Sequence, residues 1–295
     1  MNKNVLFAAF VLLVAASCTN NTISVDDNQN LVPVRVHVEG FSVSQEMFPG
    51  TRAGQDISEY TGVKTITVAF YTSEGTEQSK TTQMRASLPA GDTFGDFSLS
   101  LPMGSYTMVV LASGSDYAMT LTSPTQAGFD AQEEHVRETF AATQAVNVSS
   151  NEAVNINATL SRIISKVMVV STDNRTADVA NIRTTFSAGG TGFNPTTGFA
   201  TTNTGFSNTV RGSVVANSPS SATNYLFLAT DEQMVNVTIE TLDADGAVLF
   251  SKTVNNVPLK RNRVTTLTGA MFTNTGIAGA FQVNTDWLTE NDVSF

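Results

Sequence analysis

Few side chains in this sequence of 295 residues are spaced for catalysis or metal binding. The two histidines, His37 and His135, lie far apart, and neither stands in a motif that would hold a base beside a nucleophile, as a Ser-His-Asp triad requires. Asp243 and Asp245 begin like a calcium loop, but the residues after them are apolar and no glutamate closes the loop. An Asp-Gly pair between two alternating runs is more typical of a hairpin turn. We therefore expect no enzymatic activity, no metal site and no cofactor.

The lone cysteine, Cys18, points to a covalent modification. A chain with one cysteine can form neither an internal disulfide nor a cysteine-based zinc site. The apolar run over residues 5–16 follows a short positive start and is too short to span a bilayer as a helix, which is typical of a signal peptide. Ala15-Ala16-Ser17-Cys18 resembles a bacterial lipobox. We predict that residues 1–18 are a lipoprotein signal peptide with Cys18 as the lipidated residue; an ordinary signal peptide that contains a cysteine is the alternative.

Composition and charge indicate the class of protein. Charged residues are only 14% of the chain, whereas Thr, Ser, Asn and Val are abundant, which favours an extracellular β protein. The formal net charge is −10 and no basic run exists, so we expect no nucleic-acid partner. Lys260, Arg261 and Arg263 are the one basic cluster, which we interpret as a solvated edge before a strand; contact with an anionic glycan or lipid is the alternative.

The first patterned stretch is a strand that a single proteolytic cut could separate from the rest of the chain. Its apolar positions alternate with polar ones, which predicts a half-buried β-strand with four valines on one face: Val32, Val34, Val36 and Val38. After Gly40 the apolar parity shifts to Phe41, which suggests a bulge or the end of pairing. A loose segment follows and contains Arg52 and Ala53. Proteolysis after this single arginine would release the strand, and residues 19–30 before it are a polar tether.

The rest of the chain predicts an all-β fold of two tandem sandwich domains, residues 31–160 and residues 161–295. Many short alternating runs are separated by turn signals, and each half has the usual size of a domain. Residues 94–101 and 106–112 predict a hairpin around Pro102-Met103-Gly104, and residues 131–142 are the best helical stretch. The last run, residues 280–287, places Phe281, Val283 and Trp287 on one side.

The order of these motifs is similar to that of the fimbrillin family, the subunits and anchors of type V pili of anaerobic Gram-negative bacteria. The resemblance covers nearly the whole chain, although residues 187–223 do not contribute to it. In chain order the motifs are the lipobox, the alternating strand, Thr51-Arg52-Ala53, Phe97-Ser-Leu-Ser-Leu101, Gly104-Ser-Tyr106, Leu160-Ser-Arg162, Val257-Pro258-Leu259, Asn262-Arg263 and Asp286-Trp287.

The resemblance implies two transthyretin-like β-sandwich domains and export as an outer-membrane lipoprotein precursor. It also implies that an arginine-specific surface protease cuts between Arg52 and Ala53. The first strand then leaves, and a groove opens that a C-terminal strand of another copy or of a related pilus subunit fills. The donor residues implied for this chain are Phe281, Val283 and Trp287. The mature protein would lie in a fimbrium at the cell surface and contribute to adhesion.

Three functional hypotheses follow. The first is a structural pilus subunit that assembles by protease-triggered strand exchange. The second is a non-polymerising surface lipoprotein, either a pilus anchor or a protein that binds a host glycan or host protein through its loops. The third is a surface hydrolase, because a carboxylate pair of the glycosidase type can form in space without a local motif.

Overall fold

The computed structural model describes residues 30–41, 56–211, 219–272 and 281–284, and their regular structure is β-strand apart from a short 3₁₀ helix at Arg85–Ser87. The all-β prediction is thereby confirmed. The strands of the first half are β1 (Val32–Phe41), β2 (Thr65–Tyr71), β3 (Glu77–Met84), β4 (Asp96–Leu101), β5 (Gly104–Ser113), β6 (Thr120–Ser123), β7 (Gln126–Gly128), β8 (Thr139–Val148) and β9 (Val154–Arg162). Those of the second half are β10 (Ser165–Asn174), β11 (Asn181–Phe186), β12 (Phe206–Arg211), β13 (Pro219–Leu226), β14 (Glu232–Leu242), β15 (Val248–Lys260), β16 (Val264–Gly269) and β17 (Gln282–Asn284).

The first half is one sheet folded into two layers. Its strand order is β3-β2-β5-β8-β9-β1-β4. Only two residue pairs join β8 to β9, Phe140 with Arg162 and Ala141 with Ser161, and the sheet folds over at this step. The apolar faces of β4-β1-β9 and of β3-β2-β5-β8 then meet in a common core, in which Val36 of β1 and Val110 of β5 are both buried. The result is a β-sandwich.

The second half is a sandwich of two four-stranded sheets. One sheet has the order β13-β10-β16-β17 and the other β12-β11-β14-β15. Their facing sides share a second core, in which β10 contributes Val167 and Val169 and β14 contributes Val237 and Ile239. The Asp243 turn between β14 and β15 is the predicted hairpin, because the Asp243 carboxylate accepts hydrogen bonds from the backbone N–H groups of Asp245 and Ala247.

The two halves repeat one topology. In the first half β1 runs parallel to β9 and antiparallel to β4, and in the second half β10 runs parallel to β16 and antiparallel to β13. The opposite layers correspond as well, since β3-β2-β5-β8 matches β12-β11-β14-β15. The strand β17 has no counterpart among the described residues of the first half. It is added to β16, on the edge that faces away from β10.

A third apolar cluster joins the halves. The outer face of β2 and β5, with Tyr71 and Leu111, packs against Phe193 and Phe227 of the second half. The two phenylalanine rings stack with their centroids 4.4 Å apart. The predicted domain boundary at residues 160 and 161 falls between the first core and the second, and the boundary itself stays a prediction.

Two local predictions are wrong. Residues 131–138 form no helix, and β8 begins at Thr139, because Phe140 enters the first core and its strand pairs with β5 along its length. Pairing with a buried strand outweighs the weak helix propensity of a short run. Residues 94–101 and 106–112 are not a hairpin, since β4 pairs with β1 and β5 pairs with β2 and β8. The turn carries the chain from one layer to the other.

Candidate functional site

The first strand lies between two others and supplies one wall of the core. On one side β1 pairs antiparallel with β4, from Val32 with Leu101 to His37 with Asp96. On the other side it pairs parallel with β9, from Val34 with Val154 to Phe41 with Leu160. The four predicted valines are at most 1% exposed: Val32, Val34, Val36 and Val38. If β1 were absent, β4 and β9 would bound an open apolar groove, which we call the β1 groove.

The sequence of β1 explains both its placement and its end. Its other face, with Arg35 and Glu39, is exposed, so the alternation matches one buried and one solvated side. The register with β9 shifts between Val38 and Gly40, as the change of parity predicts. Gly40 has a φ of 133°, a conformation that favours glycine. The shift turns Phe41 into the core, where it is 7% exposed.

An aromatic contact links the end of β1 to a buried ion pair. The Phe41 ring lies 4.5 Å from Phe140 and 5.0 Å from Tyr60, measured between ring centroids. The Tyr60 hydroxyl donates a hydrogen bond of 2.8 Å to Glu138, whose other carboxylate oxygen is 2.7 Å from the Arg162 guanidinium. Burial and the neighbouring Glu138 charge raise the pKa of Tyr60, so its hydroxyl stays a donor. We call Tyr60, Glu138 and Arg162 the polar node.

The polar node reaches the second half of the chain. The Arg162 side chain is 3% exposed, and one of its nitrogens donates a hydrogen bond of 3.0 Å to the Asn262 side chain. The Asn262 backbone N–H in turn donates to the carbonyl of Ile164. A buried guanidinium that bonds several partners fixes both the orientation and the separation of the groups it joins. The node therefore holds the end of β9 against the loop before β16. No local motif in the sequence singles out Tyr60, Glu138 or Arg162 for this role, since they lie up to 102 residues apart.

Beside the node lies a cleft of about 920 Å³ between the two halves. Thr143, Thr159 and Thr197 are among its lining residues. The predicted basic cluster also lines it, but two of its members are paired with carboxylates and are not simply solvated. Lys260 is 2.6 Å from Glu232, and Arg261 is 2.6 Å from Asp231.

The terminal strand is short and lies on its own chain. In β17, Gln282–Asn284, Val283 pairs with the buried Leu267 of β16, and Val283 itself is 39% exposed. The Phe281 ring is partly buried against the second core and covers Gly269, where an added Cβ would lie 2.9 Å from the ring. Trp287, the third predicted donor residue, lies outside the described residues. So do the predicted lipidation site Cys18 and the predicted cleavage site, Arg52 and Ala53.

Among the described residues no group of three or more His, Cys, Asp or Glu side chains is placed to hold a metal ion. No helix in that part is long and apolar enough to cross a membrane. The two histidines do not meet. His37 contacts Asp96 across the β1–β4 pair, and His135 lies in the loop before β8.

Comparisons with known proteins identify the fold. A family model described as a family of unknown function, DUF6562, matches residues 28–294. The structure is similar to the fimbrial anchor protein Mfa2 from Porphyromonas gingivalis, with a TM-score of 0.50, 13% identity, and coverage of 87% of this chain and 98% of that one. It is also similar to a candidate adhesin from Bacteroides ovatus, with a TM-score of 0.53, 13% identity, and coverage of 89% and 96%. The comparison with curated proteins finds no match. The fold is fimbrillin-like.

Proposed function

The chain belongs to the family of unknown function DUF6562, and from its fimbrillin-like fold we propose that it is a structural subunit of a surface pilus, exported as a lipoprotein and assembled by strand exchange. The observation that carries the proposal is the position of β1. It lies inside a sheet, it is paired on both edges, and its whole apolar face is buried. A strand of another subunit that enters the same position would bond to the backbone of β4 and β9 and cover the apolar face that the loss of β1 exposes.

The energy of docking explains why the exchange needs a cut. Full burial of a valine side chain is worth about 1.5–3 kcal/mol, so the four valines together hold β1 by about 6–12 kcal/mol. This sum is an upper estimate, because an unfolded chain already buries some apolar surface. A tethered strand held this firmly rarely leaves. Once the chain is cut after Arg52, β1 is a separate peptide that diffuses away after release, whereas a donor strand is held by its whole subunit.

The proposed partners follow from this scheme. Lipid on Cys18 holds the precursor at the outer membrane, and an arginine-specific surface protease cuts between Arg52 and Ala53. The donor is the terminal strand of another copy or of a related subunit, with Phe281, Val283 and Trp287 directed into the β1 groove. The assembled protein lies at the cell surface in a fimbrium and contributes to adhesion. We propose no catalytic role and no cofactor.

Polymer formation in vitro tests the proposal. Purified chain treated with an arginine-specific protease should form a ladder of oligomers that resists SDS without heating. The Arg52→Ala variant should stay monomeric under the same treatment. Arg35→Ala is the matched control, because Arg35 is an exposed arginine on β1 itself. A ladder from Arg52→Ala equal to that of the wild type would reject cleavage at this position as the trigger.

A second function is favoured by the cleft between the halves. Its volume of about 920 Å³ and its mixture of threonine hydroxyls with paired charges suit a polar ligand such as a glycan. A non-polymerising anchor or ligand-binding lipoprotein would keep β1 and use this cleft. Such a protein would stay monomeric after protease treatment and would bind a glycan array, with weaker binding in the Arg261→Ala variant.

A further inference from the structure

The repeated topology has one strand position that β17 fills in the second half and that no described strand fills in the first. In the second half, β17 pairs antiparallel with β16 on the edge away from β10. The corresponding edge in the first half is the edge of β9 away from β1. There β9 meets β8 only at its end, through Arg162 and Ser161. Among the described residues no strand pairs with the remainder of this edge.

The backbone groups of this edge point away from β1. The Ile163 N–H donates a hydrogen bond of 3.1 Å to the carbonyl of Thr139 on β8, so odd-numbered positions of β9 direct their backbone groups away from β1. Alternation along the strand therefore directs the N–H and C=O groups of Asn155, Asn157 and Thr159 to this edge, where no described strand pairs with them. The even-numbered residues between them, Ile156 and Ala158, direct their side chains into the first core.

This edge lacks the protection that other edges of the same sheet have. Outer strands are usually kept from pairing by charged residues, prolines or bulges. The outer strand β3 carries Glu77 and Lys80, and the outer strand β4 carries Asp96, which is paired with His37. Residues 154–161 of β9 contain no charged residue and no proline. A regular, uncharged strand whose edge is paired with no described strand is a template for strand addition.

We propose that residues 155–159 of β9 are a docking site for the β17 segment of a second copy of this chain, which binds antiparallel while β1 is still in place. The second half supplies the geometry, since β17 already pairs in this way with the strand equivalent to β9. There Val283 lies opposite the buried Leu267 of β16. On β9 the buried Ile156 and Ala158 could lie opposite Val283 of the donor in the same way. The choice of donor rests on the proposed function, but the site does not.

The proposed site is adjacent to the β1 groove. One edge of β9 pairs with β1 and the other would pair with the donor, so the donor would wait one strand away from the groove it later fills. The docked complex would form before cleavage. It would bring two subunits together at the cell surface. The donor strand would then be at a high local concentration beside the β1 groove, which favours its insertion once β1 has left.

Binding of a labelled peptide to an uncleavable chain tests the site. A fluorescent peptide with the sequence of residues 278–287 is titrated against the Arg52→Ala chain, in which β1 stays in place, and followed by anisotropy. Asn157→Pro removes one outward N–H and leaves the β1 ladder intact, and we expect it to weaken binding at least tenfold. Asn157→Thr keeps the N–H and is the matched control, with binding unchanged.

Hydrogen exchange provides a second measurement that does not depend on the folding of a proline variant. Addition of the peptide to the Arg52→Ala chain should protect the amides of Asn155, Asn157 and Thr159. Binding that Asn157→Pro does not weaken, or binding without this protection, overturns the docking site. Binding that occurs only after β1 has been cut and released also overturns it, yet leaves strand exchange standing. Binding to neither form would count against both.

Discussion

The Nδ1 atom of His37 on β1 lies 2.6 Å from a carboxylate oxygen of Asp96 on β4. This contact joins the two strands at the end of their pairing, where His37 is the last residue of β1 in register with β4. The hydrogen bond with Asp96 raises the pKa of His37, and the negative charges of Asp56 and Glu39 act in the same direction, while burial opposes them. The protonated ring donates to the carboxylate and holds β1 to β4.

We predict that this contact makes docking of β1 dependent on pH. A raised histidine pKa gives stabilisation that is complete below the pKa of an unfolded histidine, about 6.5, and is lost as pH rises through the folded value. Both side chains are about half exposed, so the effect is at most about 1 kcal/mol. The midpoint of urea unfolding should fall between pH 6 and pH 8.5 in the wild type, and fall less in His37→Gln. An equal fall in both proteins would show that His37 does not contribute.

We predict that the polar node is costly to break. Arg162 and Glu138 are both largely buried, and removal of one member of a buried pair leaves the other charge without compensation. Arg162→Ala should reduce the free energy of unfolding by about 3–5 kcal/mol, as measured by urea denaturation. Lys64→Ala breaks the exposed pair with Asp116 and is the matched control, with a cost below about 1 kcal/mol. Similar losses in the two variants would contradict the importance of the node.

We predict that Gly269 controls how firmly the terminal strand lies on its own chain. A Cβ at this position would lie 2.9 Å from the Phe281 ring, which must then move. The close atoms are at the base of the ring, so the strand must move with it; because β17 is a three-residue strand at the edge of its sheet, Gly269→Ala should change global stability by less than about 1 kcal/mol. Hydrogen exchange in residues 281–284 should nevertheless become faster. The double variant Gly269→Ala/Phe281→Leu should return towards wild-type exchange, and no change in exchange in the single variant would refute this packing relationship.

The sequence predicts those features that depend on local alternation. The four-valine face of β1, the irregularity at Gly40 and the hairpin at Asp243 each follow from neighbours in the chain, and each is observed. Residues 131–142 and the segment around Pro102 were predicted wrongly because their conformation depends on strands elsewhere in the sequence. Phe140 belongs to a strand because β5 pairs with it, and that pairing leaves no local signal.

The candidate site also has parts that the sequence predicts and parts that it does not. The strand that is predicted to be exchanged can be found from the sequence, because its burial pattern is periodic. The polar node and the open edge of β9 could not be found. Glu138 and Arg162 are polar residues in runs that suggest exposure, and their pairing depends on how the start of β8 meets the end of β9. The open edge is visible only when the topology of the two halves is compared.

N-terminal sequencing of the surface-assembled protein tests the central proposal most directly. The account predicts that the assembled wild-type chain begins at Ala53 and carries no lipid. It also predicts that the Arg52→Ala variant remains a monomer beginning at a lipidated Cys18. Assembled wild-type protein that still begins at Cys18 would contradict release of β1 and would place the chain among non-exchanging anchors.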